Sequence, residues 1–439
     1  MGSRSQDHPT LVFANAAGEV IDMPGIAAAE RTGWAIRRVN AADLIPLPRF
    51  SELYFLPERR PVGYRARHLA SRGLDGSMAV AAFLPSGYMV LTLAAYERLP
   101  QAPLLPLYTY AAVCLHRGRL HVPAMKIETD SKHDPAQFSR RKLTRVVHEL
   151  CAKYPKNRLV RHLAENCALK YGCANAKNLF YGRWECPIPV ASSCNAACIG
   201  CISAQPDAPI SAPQDRLNFV PEVAEVIEIA VPHLDHAPRP MISFGQGCEG
   251  EPLLQGERIR ETIRAIRRLT TRGTIHLNSN GSRPEIVKKL CEAGLDSIRV
   301  SLNSVQPEVY ARYYRPRLYT FEHVAESIRV AKQHGLFTSI NYLTFPGLTD
   351  SPDEIAALCR LIESAGIDMI QWRNLNIDPD AYCESIELPR GLPTIGLREV
   401  VRKLTERYPK LRHGYVNPPV PAGRHASLRP QPDQPVALS

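Results

Sequence analysis

The sequence predicts an α/β protein: a parallel sheet of βα units preceded by a small, sheet-rich N-terminal domain. Three observations predict it. After Trp184 the chain settles into a regular alternation of short apolar strand, polar or glycine-rich turn and amphipathic helix, which is how βα units read. Between about 9 and 127, short β-like runs (TLVFANAAGEVIDM, MAVAAFLPSGYMVLTL, LYTYAAVCLHRGRLHV) alternate with Gly and Pro punctuation. Between 134 and 181, helical periodicity takes over, with Lys and Arg mixed among Leu, Val and Ala. These changes of texture divide the chain into a sheet-rich domain (1–133), a helical connector (134–185), an α/β core (186–410) and a tail (411–439).

Within the core, candidate strands are 186–191, 241–244, 274–277, 297–302, 338–343 and 369–372. Six such strands make a partial barrel or an open doubly wound sheet. The intervening helices support that count. Phe321, Val324, Ile328 and Ala331 share one face of a helix closed by Gly335. Ser351-Pro352-Asp353-Glu354 reads as a capping box opening a helix that turns Ile355, Leu358 and Ile362 inward. Gly294 and Gly366 stand where C-terminal caps belong. Beyond about residue 408 the chain collects Pro418, Pro419, Pro421, Pro430, Pro432 and Pro435 with few large apolar side chains, the composition of a disordered tail.

Composition narrows the function classes. The longest apolar stretches, such as 220–231, are broken by Glu or Pro and fall short of the roughly 20 residues that span a bilayer. The start, MGSRSQDHPT, lacks the apolar run of a secretory signal, so a cytoplasmic protein is expected. Twelve cysteines in 439 residues are too sparse for a secreted disulfide framework, and three within eight residues favour metal or redox chemistry. A formal charge of +11 favours an anionic partner, but the cations are interspersed with Asp and Glu, so nucleic acid is possible and not favoured.

Ser193 to Cys201 reads SCNAACIGC. It places Cys194, Cys198 and Cys201 in a loop at the C-terminal end of the first strand, the edge where parallel α/β folds bind ligands. Three thiolates at this spacing wrap one face of an iron–sulfur cubane and leave one iron without a protein ligand. An iron so exposed can chelate a small molecule and pass it an electron. Zinc would need a fourth ligand, for which Cys186 is nearest at a poor spacing. Three merely packed cysteines are the remaining alternative.

This C-x3-C-x2-C pattern after a first strand resembles the radical S-adenosylmethionine (SAM) superfamily, and the resemblance covers about 186–407. It implies a partial (β/α)6 TIM-like barrel, a radical SAM core at 186–410, a [4Fe–4S] cluster on Cys194, Cys198 and Cys201, and SAM as its ligand. The second strand runs into GQGCEGEP (245–252), similar to the family's glycine-glutamate-proline motif. There Glu251, Glu249 or the backbone around Gly250 would hold the methionine amino group. The third strand ends in Ser279 and Asn280, and the fourth carries Arg299, Ser301 and Asn303 on one face. These resemble the strand ends that meet the ribose and the methionine carboxylate. For Arg299 the alternative is an internal ion pair with a glutamate of the second strand. Asn341 on the fifth strand would reach the ribose, and Phe345-Pro346-Gly347 resembles the adenine-side turn. One departure is Gly200, where the family commonly has an aromatic residue against adenine. Ile199 or Ile202 would then supply that packing.

The resemblance implies one-electron reduction of SAM to a 5′-deoxyadenosyl radical, which abstracts hydrogen from an unidentified small-molecule or peptide substrate. An external one-electron donor of flavodoxin or ferredoxin type is implied as partner. RNA modification is the second reading, on the basic helix with Arg258, Arg260, Arg264, Arg267, Arg268 and Arg272. A non-catalytic iron–sulfur module, carrier or scaffold, is the third. Cys151, Cys167, Cys173 and Cys186 precede the main motif and either converge on a second metal or remain free thiols. Cys291 and Cys359 read as core thiols, and Cys248 lies near the cofactor. The N-terminal domain would recognise substrate or cover the barrel mouth.

Overall fold

Seven parallel strands in sequence order build the half of the molecule after Trp184: β1 (Glu185–Ile188), β2 (Met241–Phe244), β3 (Thr274–Ser279), β4 (Ser297–Leu302), β5 (Phe337–Thr344), β6 (Met369–Asn374) and β7 (Arg412–Gly414). They come from a computed structural model that describes residues 8–70, 76–206, 208 and 210–420. Strands β1, β2 and β3 are buried along their whole length, as expected where helices cover one face of a parallel sheet and side chains fill the other. The helices are α1 (Val223–His236), α2 (Gly256–Leu269), α3 (Pro284–Ala293), α4 (Pro307–Tyr314), α5 (Phe321–Gln333), α6 (Pro352–Ala365), α7 (Pro379–Ser385) and α8 (Leu397–Arg407). In α2 the buried Ile259, Ile263 and Ile266 recur at helical spacing. Gly294 and Gly366 close α3 and α6 in the left-handed conformation, at φ 115° and 70°.

Two expectations about local structure are corrected. Ser351 caps α6, accepting from the Glu354 N–H, but Glu354 does not reciprocate. Its carboxylate instead accepts from Ser304 Oγ (2.6 Å), the Val305 N–H (2.8 Å) and Gln306 Nε2 (2.7 Å), tying α6 to the end of β4. The expected tail boundary at 411 falls inside the fold. β6 offers an open edge, and Arg412–Gly414 pairs with it. Val416 and Asn417 are buried beyond that strand, Asn417 accepting from Gln371 Nε2 at 2.9 Å. So short a strand with an Arg and a His carries no apolar pattern. Residues 421–439, with Pro421, Pro430, Pro432 and Pro435, lie outside the described residues.

Upstream, the described residues form a twelve-stranded antiparallel sheet and a two-stranded ribbon. Helices Arg140–Lys153, Arg158–His162 and Ala174–Phe180 follow, interrupted by a π-helical stretch at Leu163–Lys170. The sheet is not packed as a separate body, because Val12, Val80 and Val122 belong to the same apolar core as Ile242, Ile298 and Leu404. It is fastened to the loops at the C-terminal ends of β5 and β6. The Gly33 N–H donates to Pro346 O (2.8 Å), and the Asn374 side chain bonds the Val90 N–H (2.9 Å) and Tyr88 O (2.8 Å). Two buried ion pairs cross the same boundary, Arg59–Asp378 (2.6 Å) and Arg31–Asp380 (2.5 Å). A Cβ on Gly347 would lie 2.3 Å from the Gly33 nitrogen, so this close approach requires glycine at 347.

Candidate functional site

Cys194, Cys198 and Cys201 open onto one cavity of ≈ 600 Å³ at the C-terminal end of the parallel sheet. Their loop is held from two sides. The Ala197 and Ile199 N–H groups donate to Tyr314 O (3.0 Å) and Tyr313 O (3.2 Å) at the end of α4. On the other side, the Gly250 and Glu251 N–H groups donate to Ala191 O (2.7 Å) and Ser193 O (2.9 Å). That second contact explains Gly250: a Cβ there would sit 1.9 Å from Ser193 O. Burial, with Glu251 next in weight, pushes the Cys194 thiol up to about 11. Cys198 is driven well above its ordinary value by burial and by the neighbouring Cys201 and Cys194. Three sulfurs crowded in this way favour a soft cation that can displace their protons.

The two glutamates of the second-strand loop brace the site. Glu249 accepts from three backbone N–H groups, Val190 (2.6 Å), Ala191 (2.7 Å) and Gln246 (2.6 Å), locking the end of β1 to the loop after β2. Glu251 accepts from Ser279 Oγ (2.6 Å) and from the Asn280 (2.8 Å) and Leu253 (3.0 Å) N–H groups, locking the same loop to β3. Burial raises both carboxyls, Glu249 to about 8 and Glu251 to about 7, against the pull of those donors. Both line the cavity with their hydrogen-bonding capacity largely committed to the fold.

Of the other residues singled out in the sequence, Gly250, Ser279, Asn280, Arg299, Ser301 and Asn341 all line this cavity. Asn303 does not. It turns into the core, where its amide donates to Tyr382 Oη at 3.3 Å. The strand alternation that placed it beside Ser301 ends with β4 at Leu302. The Phe345-Pro346-Gly347 turn is likewise diverted. Phe345 is fully buried with its ring 4.9 Å from Tyr382, and Pro346 and Gly347 meet Gly33. Ile202 lines the cavity and Ile199 does not. At Gly200 a Cβ would come within 2.9 Å of the Tyr313 hydroxyl, so α4 supplies an aromatic side chain next to the third cysteine and excludes one at 200.

Arg299 makes no ion pair with a glutamate of the second strand. Its Nη1 donates to Gln371 Oε1 (2.8 Å), and its Nε is buried without a partner. Burial first and Arg373 second bring it down to about 9. Arg373, which the sequence reading passed over, lines the same cavity, donates to Asn341 Oδ1 (3.1 Å) and lies 3.9 Å from the Tyr415 ring centre. Neither guanidinium has a carboxylate partner among the described residues. Two such cations in one cavity favour an anionic ligand. The strand after 411 was hidden from sequence reading, and with it the Tyr415 that orients Arg373.

Residues 188–359 match the radical SAM superfamily. That stretch of the chain is similar to radical SAM domains. Members of this superfamily use a [4Fe–4S] cluster and SAM and share a partial TIM barrel, and strands β2 to β5 and the cysteine loop fall within the matched residues, which contribute much of the cavity lining. Over 121 residues the chain is 35% identical to the GTP 3′,8-cyclase of Aquifex aeolicus, covering 27% of this chain and 37% of the cyclase. Over 241 residues it is 22% identical to the FeMo cofactor biosynthesis protein NifB of Azotobacter vinelandii, covering 50% of this chain and 46% of NifB. The chain thus spans less than half the length of either of these curated relatives. Among solved structures, methylornithine synthase (PylB) aligns over 62% of this chain and 71% of its own at 14% identity, with a TM-score of 0.37, too slight a likeness to argue from. Among the described residues, no helix is long and apolar enough to cross a membrane.

Proposed function

We propose that this chain is a radical SAM enzyme acting on an anionic small-molecule or peptide substrate, with the cluster on Cys194, Cys198 and Cys201. The observation that carries the reading is the opening of those three half-buried thiols, from one loop, onto a cavity that also takes in the ends of β2 to β6. When bound, the cluster supplies the electron that splits the carbon–sulfur bond of SAM and yields the 5′-deoxyadenosyl radical. The residues of the chain then bind, orient and exclude water. Glu249 and Glu251 set the backbone of 245–251 against which the methionine amino group rests. Ser279, Asn280, Ser301 and Asn341 face the ribose. Arg299, with its orphaned Nε, takes the methionine carboxylate, and Tyr313 replaces the aromatic wall missing at Gly200. Arg373 is left for an anionic group of the substrate.

In this reading the core strands form the (β/α)6 partial barrel, with β7 an addition, and the N-terminal sheet covers its mouth. An external flavodoxin- or ferredoxin-type donor supplies the electron in the cytoplasm. The RNA reading is less favoured, because three of its six arginines are paired: Arg258 with Glu222, Arg260 with Glu257 and Arg267 with Asp296.

The test is anaerobic reconstitution, dithionite reduction and quantification of 5′-deoxyadenosine from SAM, with Cys198→Ala as control. Nucleoside from the wild type alone is expected. A loaded, reducible cluster that binds no SAM sinks the proposal in favour of an electron carrier.

A further inference from the structure

At the wall of the same cavity, side chains from three separate elements meet. His162 ends the helix Arg158–His162, Cys167 lies in the π-helical stretch Leu163–Lys170, and Cys248 belongs to the loop after β2. One ring nitrogen of His162 and the two sulfurs all lie within 4.8 Å of one another, with Cys167 Sγ 3.5 Å from Cys248 Sγ. The geometry points to a second metal site, in which His162, Cys167 and Cys248 hold a single tetrahedral ion of the zinc class.

Three observations lead there. The first is the backbone. His162 and Cys167 are five residues apart, which an ordinary α-helix turns to different faces. The stretch between them is wound with i→i+5 bonding, seen in the Tyr171 N–H donating to Asn166 O at 2.8 Å. That winding brings positions five apart over one another, and such bulges concentrate at functional sites. The second is an orphan. His162 Nδ1 faces the Asn166 amide at 3.1 Å, and Nε2 is shut from solvent with no hydrogen-bond partner. With its amide turned, Asn166 would accept from Nδ1–H and leave Nε2 a lone pair for a metal.

The third is size. Zinc–sulfur bonds of about 2.3 Å in a tetrahedron put two thiolates roughly 3.7 Å apart, close to the observed 3.5 Å. An iron–sulfur cubane binds each cysteine to a different iron and so needs wider spacing. A mononuclear ion fits and a second cubane does not. Cys167 and Cys248 line the cavity, as Cys173 does, so a fourth ligand can reach the ion from there. Cys173 stands near enough to feel the charge of Cys248 but falls outside the 4.8 Å set. Three protein ligands with one open position is the arrangement of a site that takes an exogenous ligand.

The test uses the full chain with Cys194→Ser, Cys198→Ser and Cys201→Ser combined, so that the cluster loop cannot bind metal. After reduction and chelation, Co²⁺ is titrated as the probe and Zn²⁺ is used to displace it. One equivalent is expected, with the visible bands of tetrahedral cobalt and thiolate charge transfer. Adding His162→Gln or Cys167→Ser should weaken binding by at least about tenfold. Were the triple variant to misfold by circular dichroism, zinc per chain in the cluster-loaded wild type against His162→Gln reads the same thing, with one zinc expected to disappear. Folded chain that shows no thiolate–cobalt bands overturns the proposal, as do bands unchanged in both added variants. A Cys167–Cys248 disulfide that, once reduced, still takes no cobalt also overturns it.

Discussion

The cysteine loop and the His162–Cys167–Cys248 group are two sulfur-rich sites on one cavity, built in opposite ways. The first is local: three thiols within eight residues, held by backbone bonds to α4 and to the loop after β2. The second is assembled, with Cys167 and Cys248 separated by 81 positions and brought to 3.5 Å only by the fold. A local site depends on its loop, whereas an assembled one depends on everything that positions its parts. The two are therefore expected to fail differently.

The largest contrast is in metal binding. Cys201→Ala should abolish the iron–sulfur absorbance of reconstituted protein, and His162→Ala should leave it intact. Equal loss in both would show that the two sites are one. Next comes Gly250→Ala, whose added methyl meets the Ser193 backbone at 1.9 Å. Backbone cannot step aside as a side chain does, so a loss of about 3 kcal/mol or more is expected in chemical denaturation. An unchanged midpoint would mean that the cysteine loop is not pinned there.

A smaller effect is set by pH. His276 on β3 is held neutral by burial, down to about 4, with its ring nitrogens against Ser297 Oγ (2.7 Å) and Asn278 Oδ1 (2.9 Å). Between about 6.5 and 4 the unfolded chain takes a proton there that the folded chain refuses. Stability from this group is therefore full above about 6.5 and falls as pH drops toward 4, by on the order of 3 kcal/mol. His276→Gln should lose less stability over that window, read from denaturation midpoints. The smallest effect expected is for Gly200→Ala. Its obstacle at 2.9 Å is the Tyr313 hydroxyl, the far end of a side chain, so the cost should be within about 1 kcal/mol. Tyr313→Phe in the same chain should recover it, and a cost matching Gly250→Ala would erase the distinction between backbone and side-chain obstacles.

What could be read from the sequence follows the same division. The cysteine triad, the six longer strands and the glycine caps of α3 and α6 are each written in adjacent residues, so patterning reveals them. Asn303 misled because alternation along β4 stops at Leu302. Glu249 and Glu251 resemble ligand contacts in sequence, and only the tertiary structure discloses how many backbone N–H groups they serve. His162 was invisible for a stereochemical reason: its partner lies five positions on, a spacing meaningful only in a π-helix. Arg412–Gly414 was lost to the tail because a three-residue edge strand has no period to detect.

The meeting of Gly33 with Gly347 has a bearing on how this protein can change over generations. A side chain at Gly347 would strike the backbone of Gly33, and Arg59 and Arg31 have their carboxylates across the same seam. Neither half can drift, be exchanged for another sheet or be borrowed by a different barrel without its counterpart, so N-terminal sheet and barrel are inherited as one.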